Sequence, residues 1–398
     1  MQLTFVTLRR RFRLLCLAVF VVGALVAAIT AFSSGGVENA ASFSNVSCAA
    51  SGATSGRLFP LSGANSAGTA DNTNVIQSAI NAAAAAGGGT VPIPAGTYLI
   101  DGHVVMKSNV KLLGAGPSTV LKAGPGFLAT TGPDGGYPLI TTAGARNVTI
   151  ADLTADQSGN TLDADAHQAA RLAAYLIDVR DSENAVVTGV WTRNPFTYSI
   201  AVVGSSGFCV TRCNTRVATS GLYNQLDGIH VLDSNDGQVI GNYVDQRIGT
   251  DGDDGLVAHT ISAPVYDVLY ADNTVRGGNN GDGMQLAIGK YPIYDVTIRD
   301  NDFWGSPYGI RTGYWSTSPA GTVRYVSITG NYIHDLVPGY AFPDGGNAVD
   351  IGGFGAIGPV RDVVVTGNDV CRAGKIIVVP GTGNVRAPNH FCAVLPPS

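Results

Sequence analysis

Three phrases in the middle of this chain place an aspartate before a glycine and an apolar residue: Asp227-Gly228-Ile229, Asp254-Gly255-Leu256 and Asp282-Gly283-Met284. Asp253 doubles the acid of the second phrase, and the phrase returns without an acid at Tyr308-Gly309-Ile310-Arg311. If these residues share one phase of a stacked repeat, Asp227, Asp254 and Asp282 form a column whose members sit about 4.7–4.9 Å apart. Carboxylates so close cannot all ionise, so a fold keeps them for a metal, a shared proton or a reaction. A shared proton leaves one protonated acid beside an ionised carboxylate, which is the equipment of general acid–base chemistry. His230 and His259 lie within a few residues of the column, while Gln285 and Arg311 follow its later phrases as candidate substrate contacts. Trp304, Tyr308, Tyr314 and Trp315 flank Arg311 and offer rings whose faces are apolar. Two blander readings compete: a Ca2+ site, to which Asp251 would add another acid, and solvated turn aspartates. Catalysis by Asp227, Asp253 and Asp254 is the favoured reading; no metal is assigned, Ca2+ being the cation these acids would accept.

The elements that must hold these residues repeat as well. Asn214, Asn242, Asn273, Asn301, Asn331 and Asn368 recur between strand-like runs, read here as a structural ladder of turn asparagines. Recurrence every 26–31 residues or so, without helical pattern, indicates an all-β solenoid in which each repeat is one coil. Coils are expected from about residue 88, opening with Thr90–Ile93, Thr97–Ile100 and Val110–Leu113. Ile229, Leu256, Met284 and Ile310 should stack in one interior column. Asp71-Asn72-Thr73 opens an apolar-periodic run that ends at Gly87-Gly88-Gly89, so a helix near 73–86 is expected to cap the open end. Residues 158–173 read as a helix or an inserted loop, and the glycine-rich 342–354 disturbs the last period.

The 52 glycines, few charges and net charge of -5 suit a turn-rich β protein and leave no basic footprint for nucleic acid. Arg9 to Arg13 followed by the apolar run Leu14 to Ala31 reads as an export signal over 1–31, or as an anchor through 14–31. Residues 32–68 form an irregular lead-in, and 69–398 a single domain, expected to be monomeric and extracellular. Export permits disulfides; proximity suggests Cys209 with Cys213 and Cys371 with Cys392, leaving Cys48 over.

The cap, from Asp71-Asn72-Thr73 through Ile76-Gln77-Ser78-Ala79-Ile80 to Pro94-Ala95-Gly96-Thr97-Tyr98, resembles the N-terminal entry of pectate-lyase-type right-handed parallel β-helices. The repeats resemble glycoside hydrolases on that fold, the polygalacturonase-like family and its α-1,3-glucanase relatives. Their successive motifs, Asn-Thr-Asp-Gly, Asp-Asp, Gly-His-Gly and Arg-Ile-Lys, are matched in order. Here stand Gln225-Leu226-Asp227-Gly228, Gly252-Asp253-Asp254-Gly255, Gly281-Asp282-Gly283 and Arg311-Thr312-Gly313. The resemblance implies Asp253 as general acid, Asp227 and Asp254 as holders of the attacking water, and inversion at the anomeric centre. Asp282 replaces the histidine and Gly313 the lysine, so a second cation for a uronate is missing. The expected partner is therefore a polysaccharide with a neutral glycan favoured, contacted by His230, His259, Asp282, Gln285, Arg311, Tyr314 and Trp315. A calcium-dependent lyase and a non-catalytic binding solenoid are the alternatives.

Overall fold

The computed structural model describes residue 48 and residues 56–130, 138–158, 175–217, 226–246, 252–314, 320–340, 342–352 and 358–392. The expected signal or anchor over 1–31, most of the lead-in, Asp251, Trp315 and nearly all of 158–173 lie outside the described residues.

Three parallel sheets wrap one hydrophobic interior. The first has 12 strands, from Ala67–Asp71 to His390–Phe391. The second has 10, from Val104–Val105 to Ile376–Val378, and the third 10, from Gly89–Ile93 to Val360–Thr366. Except at the two ends of the first sheet, sheet neighbours lie three strands apart along the chain, so each full coil contributes one strand to each sheet. The second sheet carries the acids and is called the site sheet below.

Period-2 alternation decides what faces inward. Ile200, Ile229, Leu256, Met284, Ile310 and Val349 pair residue for residue up the site sheet, and all are fully buried. The expected interior column is therefore present. Burying each such side chain is worth about 1.5–3 kcal/mol.

The glycine of each repeated phrase has a steric cause. A Cβ on Gly228, Gly255 or Gly283 would collide with the carbonyl oxygen of the next coil's glycine. It would also strike Val244, Val275 or Phe303, which enter the interior from the first sheet. None of the three has a positive φ, so close approach and not a left-handed turn demands glycine there.

The asparagine ladder runs through Asn242, Asn273, Asn301, Asn331, Asn368 and Asn389. Each side-chain Oδ1 accepts from the backbone N–H and the Nδ2 of the previous member, at 2.8–3.0 Å for the amide pairs. Asn214 is not a member. Tyr243 is its sheet partner, and Cys213 occupies the ladder phase, donating its N–H to Asn242 Oδ1.

The helix spans Thr73–Ala85 and buries Ile76, Ile80 and Ala83, one apolar face at helical spacing. Asp71 Oδ1, not Asn72, accepts the Thr73 N–H and hydroxyl at its start. The strand Ala67–Asp71 precedes this helix and pairs with Gly96–Ile100, so sheet pairing begins earlier than residue 88.

Cys48 bonds Cys209, and Cys371 bonds Cys392. The second pair is as expected; the Cys209–Cys213 pair and the unpaired Cys48 are corrected. Phe208 and Val210 point into the core, which turns Cys209 outward, whereas Cys213 belongs to the interior and stays a thiol.

Candidate active site

The acids gather where the chain turns from the first sheet into the site sheet. Pairing of Ile229 with Leu256 and of Leu256 with Met284 places Asp227, Asp254 and Asp282 two residues ahead, in one column. Two of the carboxylates also serve the backbone: the Asp254 N–H donates to Asp227 Oδ1 at 3.2 Å, and the Asp282 N–H to Asp254 Oδ1 at 2.7 Å. The acids thus satisfy donors that a corner leaves without sheet partners. Leu226 bridges Gly252, so Asp253 is an extra residue squeezed out between that bridge and the column. Asp227, Asp253 and Asp254 each offer an oxygen within 4.8 Å of the others. Gly281 lies against this cluster, where a side chain would collide with the carboxylates of Asp253 and Asp254.

Burial and mutual repulsion favour the protonated forms. Asp227 is pushed up to about 8, mostly by burial, with Asp282's charge adding and the Asp254 N–H opposing. Asp253 and Asp254 rise well above the usual carboxylate range through burial and their acidic neighbours, against the pull of Arg311. Asp282 is fully buried; its Oδ2 accepts from Arg311 Nε at 2.8 Å and from Gln285 Nε2 at 3.4 Å. Burial raises it while Arg311 holds it back. Arg311 in turn lies 5.3 Å from the Tyr308 ring centroid and 4.9 Å from that of Phe342.

His230 locks Asp227. Its Nδ1 is 2.6 Å from Asp227 Oδ2, its Nε2 is 3.1 Å from His259 Nδ1, and its ring stacks on Tyr198 with centroids 4.1 Å apart. Tyr198 stacks in turn on Tyr175 at 4.9 Å. Burial pushes both histidines down to about 3, so they are neutral imidazoles. A neutral His230 that donates to Asp227 accepts at Nε2, which makes His259 Nδ1 the donor of that bond.

The expected residues do not all meet. Asp227, Asp253, Asp254, Asp282, His230, His259, Gln285 and Arg311 form one hydrogen-bonded or electrostatically linked group. Tyr314 stands apart: alternation turns it inward, and its ring packs against the core. Trp304 belongs to the first sheet, where Arg276 covers its ring, so it does not flank Arg311 in space. Tyr175 and Tyr198 escaped the sequence reading, though each stands two residues before a column isoleucine, Ile177 and Ile200, the phase of Asp227.

A model of the family described as rhamnogalacturonase A/epimerase, pectate lyase-like, matches residues 61–195. A stretch of 73 residues is 48% identical to the mannuronan C5-epimerase AlgE2 of Azotobacter vinelandii, covering 16% of this chain and 7% of that protein. The chain therefore spans under a tenth of the length of that curated relative. An exopolygalacturonase from Thermotoga maritima superposes with a TM-score of 0.61 at 16% identity, over 84% of this chain and 91% of that one. The polygalacturonase of Erwinia carotovora gives 0.60 at 17% identity, over 87% and 97%. With three parallel sheets wound around one core, these likenesses show that the chain has the right-handed parallel β-helix fold of pectin-lyase-like proteins.

Proposed function

We propose that this chain is a glycoside hydrolase that cleaves a polysaccharide by an aspartate-based acid–base mechanism. One observation carries the reading: three carboxyls within 4.8 Å of one another, all raised toward the protonated form, in a single outward corner. Glycosidic cleavage needs a protonated acid on the leaving oxygen and a carboxylate for water. Asp253 suits the acid, because it is the most exposed of the three and its carboxyl, unlike its backbone, is fixed by no hydrogen bond among the described residues. Asp227 suits the carboxylate, because the Asp254 N–H favours its ionised form against burial, and His230 Nδ1, 2.6 Å away, adds a second donor in the tautomer that carries its proton there. Asp254 shares the water with it.

The short separation alone would favour retention, whose carboxyls lie about 5 Å apart, over inversion at 6.5–9.5 Å. We infer inversion nonetheless. Asp227 is held through both oxygens and Asp254 through Oδ1, so neither is free to advance on an anomeric carbon. The first-formed anomer, read by proton NMR, tests this. A neutral glycan, an α-glucan first, is the proposed substrate, because Arg311 is neutralised by Asp282 and Gly313 supplies no second cation. Action outside the cytoplasm fits the two disulfides.

A second reading, a calcium-dependent enzyme acting on a uronate, draws on the short likeness to an epimerase. Screening neutral and acidic polysaccharides for new reducing ends and for ultraviolet-absorbing unsaturation, with and without chelator, separates the two. Reducing ends from a neutral glycan in chelator support hydrolysis; unsaturated product that needs calcium overturns it.

A further inference from the structure

The outer face of the site sheet holds a second polar group, two coils before the acids. Asp178, Ala201 and His230 are register partners, so Asp178 occupies the outward phase of His230, Gln285 and Arg311. Two steps of about 4.8 Å separate its level from His230. The Asp178 side chain is only 4% exposed, yet its buried Oδ1 has no hydrogen-bond partner among the described residues. Its Oδ2 is fixed at 2.8 Å by Arg180 Nε, and the Arg180 guanidinium lies 5.8 Å from the Tyr175 ring centroid. Around it lies an apolar patch of Tyr175, Ala201, Val203 and Leu232, with Tyr198 packed against it.

A buried acceptor without a donor costs on the order of 1–3 kcal/mol, which a fold normally avoids. One oxygen oriented by an arginine, the other buried and unpaired, beside a buried apolar cluster edged by stacked tyrosines, is the make-up of a ligand site: apolar walls with a few fixed polar groups. The stack of Tyr175, Tyr198 and His230 joins this place to Asp227 without a break. We propose that Asp178, oriented by Arg180, is a sugar-binding subsite that accepts a hydroxyl from a neutral saccharide unit remote from the bond being cut. The proposal rests on the reading of the acids as a saccharide-cleaving site. It specifies the ligand by charge: a hydroxyl donates to Oδ1, whereas a uronate would bring a second carboxylate against Asp178.

Calorimetric titration of the inactive Asp253→Asn protein measures binding apart from turnover. The probes are neutral α-1,3-linked gluco-oligosaccharides, from the disaccharide upward, and oligogalacturonates. Adding Asp178→Asn should weaken the longer neutral oligosaccharides about tenfold and leave the disaccharide unchanged. Arg180→Ala, at a partly exposed position, should act in the same direction and covers the case in which Asp178→Asn fails to fold. Equal loss for long and short probes would mean a structural role and overturn the proposal. So would unchanged affinity in folded variants, tighter binding of oligogalacturonates, or no binding by the parent. Length-dependent, Asp178-sensitive binding by a protein whose unmutated form releases no reducing ends would keep the subsite and reject the hydrolase.

Discussion

Asp253 and Asp282 illustrate how two aspartates at one corner acquire different work. Asp253 is partly exposed and unfixed, whereas Asp282 is sealed under the cluster against Arg311. Asp253→Asn removes the proposed proton donor at constant volume, so the proposed hydrolysis should fall on the order of a thousandfold or more while the melting curve stays intact. Wild-type rates in that variant would end the acid assignment. Asp282 acts at a distance: its negative charge helps to raise Asp227, Asp253 and Asp254. In Asp282→Asn that charge is lost and Arg311 is left unopposed, and both changes ease the deprotonation of Asp253. The alkaline limb of the pH–rate profile, where the acid loses its proton, should therefore move to lower pH. An unmoved limb in a folded variant would deny Asp282 this influence. The same raised groups tax stability. Burial holds Asp227 up at about 8 in the fold against 3.8 for a free aspartate, so the folded state binds the extra proton between them. Stability should be fullest at the low end of that window and decline as pH rises through it. Urea unfolding across the window should show a flatter dependence in Asp227→Asn than in the wild type.

Among the elements, the asparagine ladder and the acid column obey one rule: a side-chain oxygen at a corner accepts the N–H of the neighbouring coil. Asn301→Ala leaves the buried Asn273 N–H without its acceptor and takes one donor each from the Asn331 Oδ1 and the Tyr270 carbonyl. The cost should be on the order of 3 kcal/mol or more, read as a lower urea midpoint at unchanged slope. Asn214→Ala should cost less than about 0.5 kcal/mol, because the Asn214 side chain is bonded to the exposed Arg216 alone among the described residues. Equal effects would mean that Asn214 belongs to the ladder after all. This contrast marks what the chain discloses as text. Strand phase was legible, because Ile229, Leu256, Met284 and Ile310 repeat in type as well as position. The Asn214 error arose because type and phase part company there, with a cysteine holding the ladder position one residue earlier. Tyr175 and Tyr198 were hidden for the converse reason: they share the phase of the acids without sharing their type. Trp304 and Tyr314 misled because a corner and a period-2 strand send neighbours in sequence to different faces.

At the scale of the whole molecule, a solenoid separates residues four apart and joins residues far apart, which explains the cysteines. Cys209 and Cys213 lie on either side of a corner, one facing out and one in, whereas Cys48 reaches Cys209 across a sequence separation of 161. Closing so long a loop removes unfolded-state entropy worth about 5 kcal/mol on the chain-entropy account, far more than a five-residue turn could give. The buried Cys213 thiol donates weakly to the Val187 and Thr211 carbonyls, and burial pushes it up to about 12. Thiolate is the reactive form, so Cys213 should resist alkylation until the helix opens. A chain beginning after Ala31 should therefore show no reactive thiol when folded and a single one in denaturant, and non-reducing peptide mapping should join Cys48 to Cys209. Labelling of Cys48 in the folded protein, or a cross-linked Cys209–Cys213 peptide, would restore the pairing that proximity suggests. Cys48→Ser should lower the melting temperature while Cys213→Ser, which removes only two weak bonds, should move it by much less. The reverse order would show that the lead-in adds nothing to the fold it is stapled against.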